Sequence, residues 1–326
     1  MRMDESQVIK ESLRNELNQF DIYLRKALEN NNYRVSEIVQ HTFKVDGKRI
    51  RPILVFLVAK CCGEITSATY HGAVTVELLH MATLMHDDVV DEASTRRGQP
   101  SANAVFDNKR SVLAGDYVLS SALRESVKTE NLEIIGIISE LGKNLAEGEL
   151  NQYSLVNEII IDEEEYFKVI DKKTASLLYA CAKIGAITAG ADQFTIDEFG
   201  KMGRTLGIAF QIRDDIFDYY KIDVGKPTGN DIREGKITLP LIYALKNGPK
   251  EVSDEMINII RSHDLSPENI EILLDFAKRN GGIDYARGMI DKFLEEAEQI
   301  IENVSIDNEF KMILNLLLIY LKNRKV

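Results

Sequence analysis

The sequence has few cysteines and few prolines, and it lacks any long hydrophobic run. Its three cysteines are Cys61, Cys62 and Cys181; this odd number, without a CxxC spacing, argues against a disulfide framework or a zinc site and fits a reducing compartment. The apolar stretches of the chain, such as ILVFLVA at 53–59 and LLLIYL near the C-terminus, are far shorter than the about 20 residues that a membrane-spanning helix needs. The first residues, MRMDESQVIKESLRNEL, lack the basic and then apolar order of a secretory signal. We therefore expect a cytoplasmic protein without a transmembrane segment.

Positive charge is also scarce. The chain has 40 Lys and Arg residues against 52 Asp and Glu residues, which gives a net charge of −12. Because a nucleic-acid backbone attracts net positive charge, this balance argues against a nucleic-acid partner. Any anionic ligand must therefore be held by local basic residues or by a metal ion. Hydrophobic residues make up 44% of the chain, which is enough for a sizeable core.

Helical periodicity runs along the whole chain. Apolar residues return every three or four positions, as in VTVELLHMATLM from Val74, and no comparable strand pattern is present. With only 6 prolines, breaks are rare and the helices should be long. A length of 326 residues would suit two domains of about 150 residues each, but no linker or repeat divides the chain. We predict an all-α fold with one large helical domain over 1–326.

Two aspartate-rich motifs of the form DDxxD carry the strongest chemical signal. Their carboxylates belong to Asp87, Asp88, Asp91, Asp214, Asp215 and Asp218. On a helix, the first and last aspartates of each motif share one face, and two such charges repel by about 3 kcal/mol unless a cation lies between them. A single copy is equally typical of an exposed acidic helix end. Two copies with basic residues nearby favour Mg²⁺ bridged to a diphosphate.

The string GKRIRP near the start is a second candidate anion site. Pro52 is suited to the first position of the helix that follows, which would place Lys48 and Arg51 at a helix N-terminus, where free amides favour an anion. His80 lies two helical turns before Asp87 and therefore on the same helix face, so it is a candidate hydrogen-bond donor to a diphosphate. A basic surface turn and a packed core histidine remain alternatives for these residues.

Two shorter strings, KKTAS and FQIR, add polar groups. Thr174 and Gln211 offer neutral oxygens, and Lys173 offers a charge for a phosphate oxygen. The sequence contains no GxSxG, P-loop or HExxH motif and no cysteine–histidine pair in a nucleophile context. This pattern indicates metal-assisted loss of diphosphate, without attack by a side chain.

Seven motifs follow one another along the chain: GKRIRP at 47–52, LMHDDVVDEASTRRG at 84–98, LAGDY at 113–117, EGELNQ at 147–152, KKTASL at 172–177, GIAFQIRDDIFDYY at 207–220 and GKPTGNDIREGKITLP at 225–240. In this order they resemble the trans-isoprenyl diphosphate synthases, also called polyprenyl synthetases, and in particular medium- and long-chain members such as octaprenyl or heptaprenyl diphosphate synthases. The resemblance implies an all-helical bundle around a deep central cavity, usually in a homodimer.

The resemblance also implies a role for each motif residue. Magnesium, with three ions once substrate is bound, would be held by all six motif aspartates: Asp87 and Asp91 with Asp88 behind them, and Asp214 and Asp218 with Asp215. The allylic diphosphate would be bound by Arg96, Lys173, Thr174, Gln211, Lys226 and Lys236. Isopentenyl diphosphate would be bound by Lys48, Arg51, His80 and Arg97. The C-terminal Arg324 and Lys325 are left without a role.

The implied reaction joins isopentenyl diphosphate to an allylic primer, farnesyl or geranyl diphosphate, and gives an all-trans polyprenyl diphosphate. The proton would leave to the departing diphosphate, so no protein base is required. A terpene cyclase would need no second basic site, a silent partner subunit would lose aspartates, and a purely structural bundle would leave the basic residues unexplained. A requirement for a second, different subunit and a peripheral membrane contact for product release both stay open.

Product length is predicted from the helix before the first aspartate motif. Thr83 and Ala82 lie four and five residues before Asp87, and 76–85 contains no Phe, Tyr or Trp. In the resembling family, short-chain members block the cavity with rings at these two positions. Because each further turn adds about 5.4 Å, comparable to one isoprene unit, we expect a long product of about C30 to C50. The alternatives are a geranylgeranyl or other short-chain synthase, and small residues chosen only for close helix packing.

Overall fold

The computed structural model of the chain describes residues 4–44, 47–96, 98–220, 228–306 and 309–323. These residues form helices joined by short turns, which confirms the all-α prediction. The elements are α1 (Glu5–Ser12), α2 (Arg14–Leu28), α3 (Tyr33–Thr42), α4 (Ile50–Cys62), α5 (Ser67–Val90), β1 (Thr95–Arg96), β2 (Gln99–Pro100), α6 (Ala102–Phe106), α7 (Asn108–Val127), α8 (Leu132–Glu158), α9 (Glu163–Ile170), a π-helical segment (Asp171–Ala175), α10 (Ser176–Thr188), α11 (Gln193–Phe217), α12 (Asn230–Arg233), α13 (Leu239–Asn247), α14 (Lys250–Arg261), α15 (Pro267–Arg279), α16 (Gly282–Asn303) and α17 (Glu309–Asn323).

The strands β1 and β2 form a small antiparallel hairpin, although the sequence shows no strand pattern. Thr95 pairs with Pro100, and Arg96 pairs with Gln99. A strand of two residues is too short to produce an alternating pattern, so periodicity could not reveal it. Gly98 in the connecting turn has φ of 74°, a conformation that glycine adopts without steric cost.

The described residues group into two compact units. The first falls within Met1–Gly142, Leu177–Gly203 and Ile300–Tyr320. Its centre is α4, which is buried on all sides from Pro52 to Ala59. The long helix α5 packs against both α4 and α7. A capping box fixes its start, because Thr66 and Thr69 exchange hydrogen bonds between side chain and backbone.

The second unit falls within Lys143–Ser176, Arg204–Gln299 and Leu321–Val326. Helix α13 packs against α9, α14 and α15. The rings of Tyr243 and Tyr285 stack with centroids 4.1 Å apart, and Tyr285 donates a hydrogen bond to Glu163 at the start of α9. Arg213 of α11 is 5% exposed and donates to the Leu321 carbonyl at 2.8 Å, which ties the end of α17 to α11.

Helix α17 is the most apolar segment near the C-terminus, and it contains the stretch LLLIYL. Across the part of the chain that the structure describes, no helix combines the length and the apolar character needed to cross a bilayer.

Candidate active site

The first aspartate motif lies at the C-terminal end of α5, as its spacing predicts. Asp87 and Asp88 lie in the last turn of the helix, and Asp91 caps it with its amide donating to the Asp87 carbonyl at 2.8 Å. Asp87 is half-buried and Asp91 is exposed. Because these two residues are four apart, their carboxylates project from the same face of α5.

Asp88 has a different environment from the other two aspartates of this motif. Its side chain is buried, and its Oδ1 accepts a hydrogen bond from Arg96 Nε at 2.7 Å and a second from Arg96 Nη2. The Asp88 carbonyl also accepts from Asn103 Nδ2 at 3.1 Å. Asp88 therefore fixes the guanidinium of Arg96, on the small hairpin, beside the motif. The assignment of Asp88 to the magnesium ligands stays a prediction.

The face of α5 that carries Asp87 also carries His80 and Thr83. The spacing of three and then four residues places these side chains above one another on a helix. His80 and Thr83 are both half-buried, and the Thr83 hydroxyl donates to the His80 carbonyl at 2.8 Å. Ala82 is only 1% exposed and packs within the first unit. Of the two residues assigned to the chain-length wall, Thr83 is the one with open surface.

His86, next to the motif, explains part of the LAGDY string in α7. Its Nε2 lies 3.3 Å from Asp116 Oδ1 and 3.3 Å from the Val112 carbonyl. Gly115 lies directly under the imidazole, where a Cβ would collide with the ring. The sequence motifs assign no role to His86, because its packing on Gly115 depends on a contact between two separate helices.

The GKRIRP string forms the start of α4, with one difference from the sequence prediction. The helix begins at Ile50, so Pro52 is its third residue and is not the first as predicted. Proline is still accommodated because the first-turn amides have no partner within the helix. Lys48 is exposed just before the helix, and Arg51 is half-buried in its first turn. Both cations therefore flank the N-terminus of α4, as expected.

Arg49 caps α4 and was missed by the sequence reading. Its backbone is left-handed, with φ of 57°, a conformation that costs a non-glycine residue about 1–2 kcal/mol. Its guanidinium lies 3.5 Å from Glu77 Oε1 and 3.2 Å from Asp21 Oδ1, and it covers the Phe20 ring. These contacts hold the turn before α4 against Glu77 of α5 and Asp21 of α2. Spacing in the sequence does not distinguish the role of Arg49 from the roles of Lys48 and Arg51.

The second aspartate motif lies at the C-terminal end of α11. Asp214 is exposed in the last turn, and Asp218 follows the helix. The two Asp218 carboxylate oxygens accept from the backbone amides of Asn230 and Asp231, each at 2.9 Å. Asp218 therefore anchors the start of α12, part of the string that contains Lys236.

Asp215 is the buried member of the second motif. Its Oδ2 accepts a hydrogen bond from the Tyr166 hydroxyl at 2.6 Å, and its Oδ1 accepts one from Gln211 Nε2 at 2.8 Å. Burial, with the nearby Asp231 carboxylate, raises the pKa of Asp215 well above its ordinary range. The pKa of Tyr166 is also raised, first by burial and then by Asp215.

The KKTAS string occupies the π-helical segment. Lys173 Nζ lies 2.5 Å from Glu149 Oε2 and 3.2 Å from Gln152 Oε1 on α8. The Thr174 hydroxyl donates to Gln211 Oε1 at 2.6 Å. Segments with π-helical turns are rare in proteins, and those that occur are often found at functional sites.

Two glycines allow the π-helical segment to approach its neighbours. A Cβ at Gly148 of α8 would lie 2.9 Å from the Lys173 amide, and one at Gly207 of α11 would lie 2.5 Å from the Ala175 Cα. Each would collide with backbone atoms. This close approach explains a glycine in EGELNQ and another in GIAFQIRDD.

A cavity of about 170 Å³ in the second unit gathers several predicted site residues. Its polar lining includes Lys173, Thr174, Gln211, Asp215, Asp231 and Lys236. The apolar lining includes Leu155, Val169 and Ile242. Lys236 Nζ lies 2.6 Å from Glu234 Oε2. Lysine and neutral polar side chains that line one cavity with apolar side chains suit an anionic group attached to a hydrocarbon chain.

Four basic residues named from the sequence lie outside the described residues. They are Arg97, Lys226, Arg324 and Lys325.

The donor atoms of both motifs suit a hard divalent cation. Among the described residues, no three His, Cys, Asp or Glu side chains are grouped so as to hold a metal ion by themselves. Mg²⁺ typically takes one or two carboxylates and completes its octahedron with water and substrate phosphate oxygens. The aspartate pairs at the ends of α5 and α11 fit that pattern of ligands.

Comparison with known proteins agrees with these assignments of fold and motif. Residues 32–276 match the polyprenyl synthetase family. An octaprenyl diphosphate synthase from Haemophilus influenzae is 36% identical over 272 residues, which cover 82% of each chain. The crystal structure of a decaprenyl diphosphate synthase from Rhodobacter capsulatus matches with a TM-score of 0.92 at 31% identity, covering 98% of this chain and 99% of that one. A geranylgeranyl pyrophosphate synthase from Bacteroides thetaiotaomicron matches with a TM-score of 0.86 at 39% identity, covering 99% and 100%. The chain therefore belongs to the polyprenyl synthetase family and is a chain-elongating prenyltransferase.

Proposed function

We propose that this enzyme condenses isopentenyl diphosphate with an allylic diphosphate, farnesyl or geranyl, to give an all-trans polyprenyl diphosphate. The observation that carries the proposal is the cavity of about 170 Å³ in which Lys173, Lys236, Thr174 and Gln211 meet an apolar wall. We further propose that 1–326 forms one domain of this family, which the match over 32–276 supports.

The aspartate motifs serve as the magnesium ligands in this proposal. Asp87 and Asp91 in one motif, and Asp214 and Asp218 in the other, hold three ions once substrate is bound. The bound ions neutralise the charge that develops on the diphosphate as its C–O bond breaks. Asp88, paired with Arg96, holds that guanidinium in place beside the first motif.

The remaining polar residues bind the allylic diphosphate and shield the carbon that ionises. Lys173, Lys236 and Arg96, together with Lys226, supply charged hydrogen bonds to phosphate oxygens. The neutral oxygens of Thr174 and Gln211 line the same cavity as Lys173 and Lys236, where they stabilise the positive carbon without attacking it. The apolar wall excludes water, which would otherwise quench the cation.

Isopentenyl diphosphate binds at the start of α4 in this proposal. Lys48 and Arg51, with His80 and Arg97, bind its diphosphate, and the N-terminal amides of α4 add to their attraction. Arg49 takes no part in binding, because its guanidinium is directed to Glu77 and Asp21.

We propose a long product, of about C30 to C50 by the helix-turn measure. Thr83, which is small and half-buried, supports an open wall below Asp87, with Ala82 packed beside it. The octaprenyl and decaprenyl relatives point the same way. The geranylgeranyl relative at 39% identity favours the short-chain alternative, so chromatography of the product decides between them.

We also propose that the enzyme is a cytoplasmic homodimer. Support comes from α7, where Val112, Leu113, Leu123 and Val127 are 37%, 60%, 49% and 61% exposed. Large apolar side chains on one helix are typical of a surface that a protein partner covers. Light scattering after size-exclusion chromatography tests the dimer, and Leu113→Glu should shift it to monomer. We also propose that the enzyme contacts a membrane surface peripherally when it releases its product, and vesicle flotation tests this contact.

Diphosphate release tests the reaction. Purified protein with Mg²⁺ is given farnesyl diphosphate alone, isopentenyl diphosphate alone, or both. Release that requires both substrates supports the condensation. Release from farnesyl diphosphate alone indicates a cyclase, and no release under any condition indicates a non-catalytic subunit or scaffold.

A further inference from the structure

Four side chains in the second unit form one continuous chain of hydrogen bonds, which we call the Asp215 network. Tyr166 donates to Asp215 Oδ2 at 2.6 Å, Gln211 Nε2 donates to Asp215 Oδ1 at 2.8 Å, and Thr174 donates to Gln211 Oε1 at 2.6 Å. All four line the same cavity. Tyr166 is not part of any motif that suggested a function.

The direction of these bonds is set by Asp215. Both oxygens of Asp215 accept hydrogen bonds here, one from Tyr166 and one from Gln211, whereas a glutamine amide has one donor end and one acceptor end. Asp215 therefore turns the NH₂ end of Gln211 towards itself. The acceptor end, Oε1, is left at Thr174, on the side of the cavity that holds Lys173.

Tyr166 holds the other oxygen of Asp215. Its side chain is only 6% exposed, and Asp215 is only 4% exposed, so neither group can exchange its partner for bulk water. Asp214, next in the chain, is exposed. Adjacent aspartates of one motif thus have two different environments: Asp214 is exposed, and Asp215 is buried between two protein donors.

The π-helical segment explains how Tyr166 and Thr174 both reach α11. They are eight residues apart on one continuous helix, and in a regular α-helix their side chains would differ by about 80° in direction. The wider π-helical turn over Asp171–Ala175 takes up much of that rotation. Both hydroxyls therefore meet Gln211 and Asp215, which are themselves one turn apart on α11.

We propose that Tyr166 and Asp215 are positioning residues, which orient the Gln211 amide so that its oxygen and the Thr174 hydroxyl are fixed beside the ionising carbon. The inference rests on the proposed condensation reaction. Asp215 in this assignment acts through Gln211, whereas Asp214 and Asp218 act through magnesium. This replaces the expectation from the sequence that all three aspartates of the motif bind metal.

Asp215→Asn makes this assignment testable because it reverses the network without emptying it. The new amide offers a donor to Gln211, so Gln211 turns over and presents its NH₂ end to Thr174, whose hydroxyl can accept. Packing is kept, because asparagine and aspartate have nearly the same size and shape. We expect an intact melting temperature together with a large loss of kcat.

The experiment compares Tyr166→Phe, Asp215→Asn and their double variant with Asp214→Asn. Tyr285→Phe is the matched control, since it removes a hydroxyl bond to Glu163 of the same helix, α9, without touching Asp215. Readouts are kcat, both KM values, the Mg²⁺ concentration at half-maximal rate, and Mn²⁺ binding in the presence of inorganic diphosphate, followed by electron paramagnetic resonance.

We expect Tyr166→Phe to lower kcat about tenfold, the effect of one hydrogen bond to a charged group. Its Mg²⁺ requirement and Mn²⁺ binding should match wild type, whereas Asp214→Asn should weaken both. The double variant should be no slower than Asp215→Asn alone, because Tyr166 acts through Asp215. Tyr285→Phe should keep wild-type kcat.

Three results would overturn the inference. A wild-type kcat in Tyr166→Phe would show that Tyr166 has no positioning role. If the kcat losses of the two single variants multiply in the double variant, Tyr166 does not act through Asp215. Weakened Mn²⁺ binding in Asp215→Asn would show that Asp215 is a metal ligand. If Tyr166→Phe melts far below Tyr285→Phe, the comparison of Asp215→Asn with Asp214→Asn decides alone. A wild-type enzyme that fails to require both substrates refutes the proposed reaction, and this inference with it, and is recognised before any variant is measured.

Discussion

Thr83→Phe places an aromatic ring one helical turn before Asp87, on the face of α5 that carries His80 and Asp87. One turn is about 5.4 Å, so the ring should close the path of the growing chain after few additions. With a geranyl primer we expect the product to shorten to about C15 or C20, because the path is blocked one turn below the proposed metal site. The first condensation should survive, because Asp87 and the start of α4 are unchanged.

The effect of Thr83→Phe on the free energy of unfolding follows from the contacts of Thr83. Thr83 is half-buried, and the substitution removes its hydrogen bond to the His80 carbonyl, a loss of about 0.5–1.5 kcal/mol. Ala82→Phe would shorten the product by the same reasoning, but Ala82 is 1% exposed, so overpacking adds about 1–3 kcal/mol. Thr83→Phe is therefore the better test of the two.

Products are dephosphorylated and separated by reverse-phase chromatography, with melting temperature measured in parallel. Thr83→Val is the control, since it removes the hydroxyl and nearly keeps the volume, and it should leave the product length unchanged. An active Thr83→Phe enzyme that still makes the wild-type product would refute the wall assignment, and the floor of the cavity would then lie elsewhere.

Three further predictions concern the other groups at the site. Asp87→Ala and Asp214→Ala should each abolish turnover with the helical circular dichroism spectrum intact, because half-buried or exposed carboxylates add little folding energy; near-normal turnover with Mg²⁺ would contradict the metal assignment. Lys48→Ala and Arg51→Ala should raise KM for isopentenyl diphosphate by about one to two powers of ten and leave the allylic KM unchanged in steady-state assays, since each removes a charged hydrogen bond; an equal rise in both KM values would show that the two sites are exchanged. Arg49→Ala should lower the free energy of unfolding by about 2 kcal/mol in urea titration, because it strips a charged contact from a buried glutamate; unchanged stability would remove its role as the anchor of the turn.

The parts of the site that sequence could predict are those governed by helix spacing. Asp87 and Asp91 share a face because they are four residues apart, and this holds wherever the helix lies in the fold. Lys48 and Arg51 were placed correctly at a helix start, although the position of Pro52 was wrong by two residues. A proline indicates the first turn of a helix but does not identify the position within it.

The parts that sequence could not predict depend on contacts between distant segments. Tyr166 and Asp215 are 49 residues apart, and only the packing of α9 against α11 brings the hydroxyl to the carboxylate. The π-helical turn that aligns Thr174 has no sequence signature. Arg49 stands between Lys48 and Arg51, the two cations that we propose bind ligand, and its contacts with Glu77 and Asp21 were not predictable from the sequence.

Mass spectrometry of the product made from ¹³C-labelled isopentenyl diphosphate and unlabelled farnesyl diphosphate tests the proposed condensation most directly. We predict one polyprenyl diphosphate series, in which each member carries one unlabelled farnesyl end and a whole number of labelled five-carbon units, formed only with Mg²⁺. A product without label, or label recovered entirely as unreacted isopentenyl diphosphate while diphosphate is released, would contradict chain elongation by this enzyme.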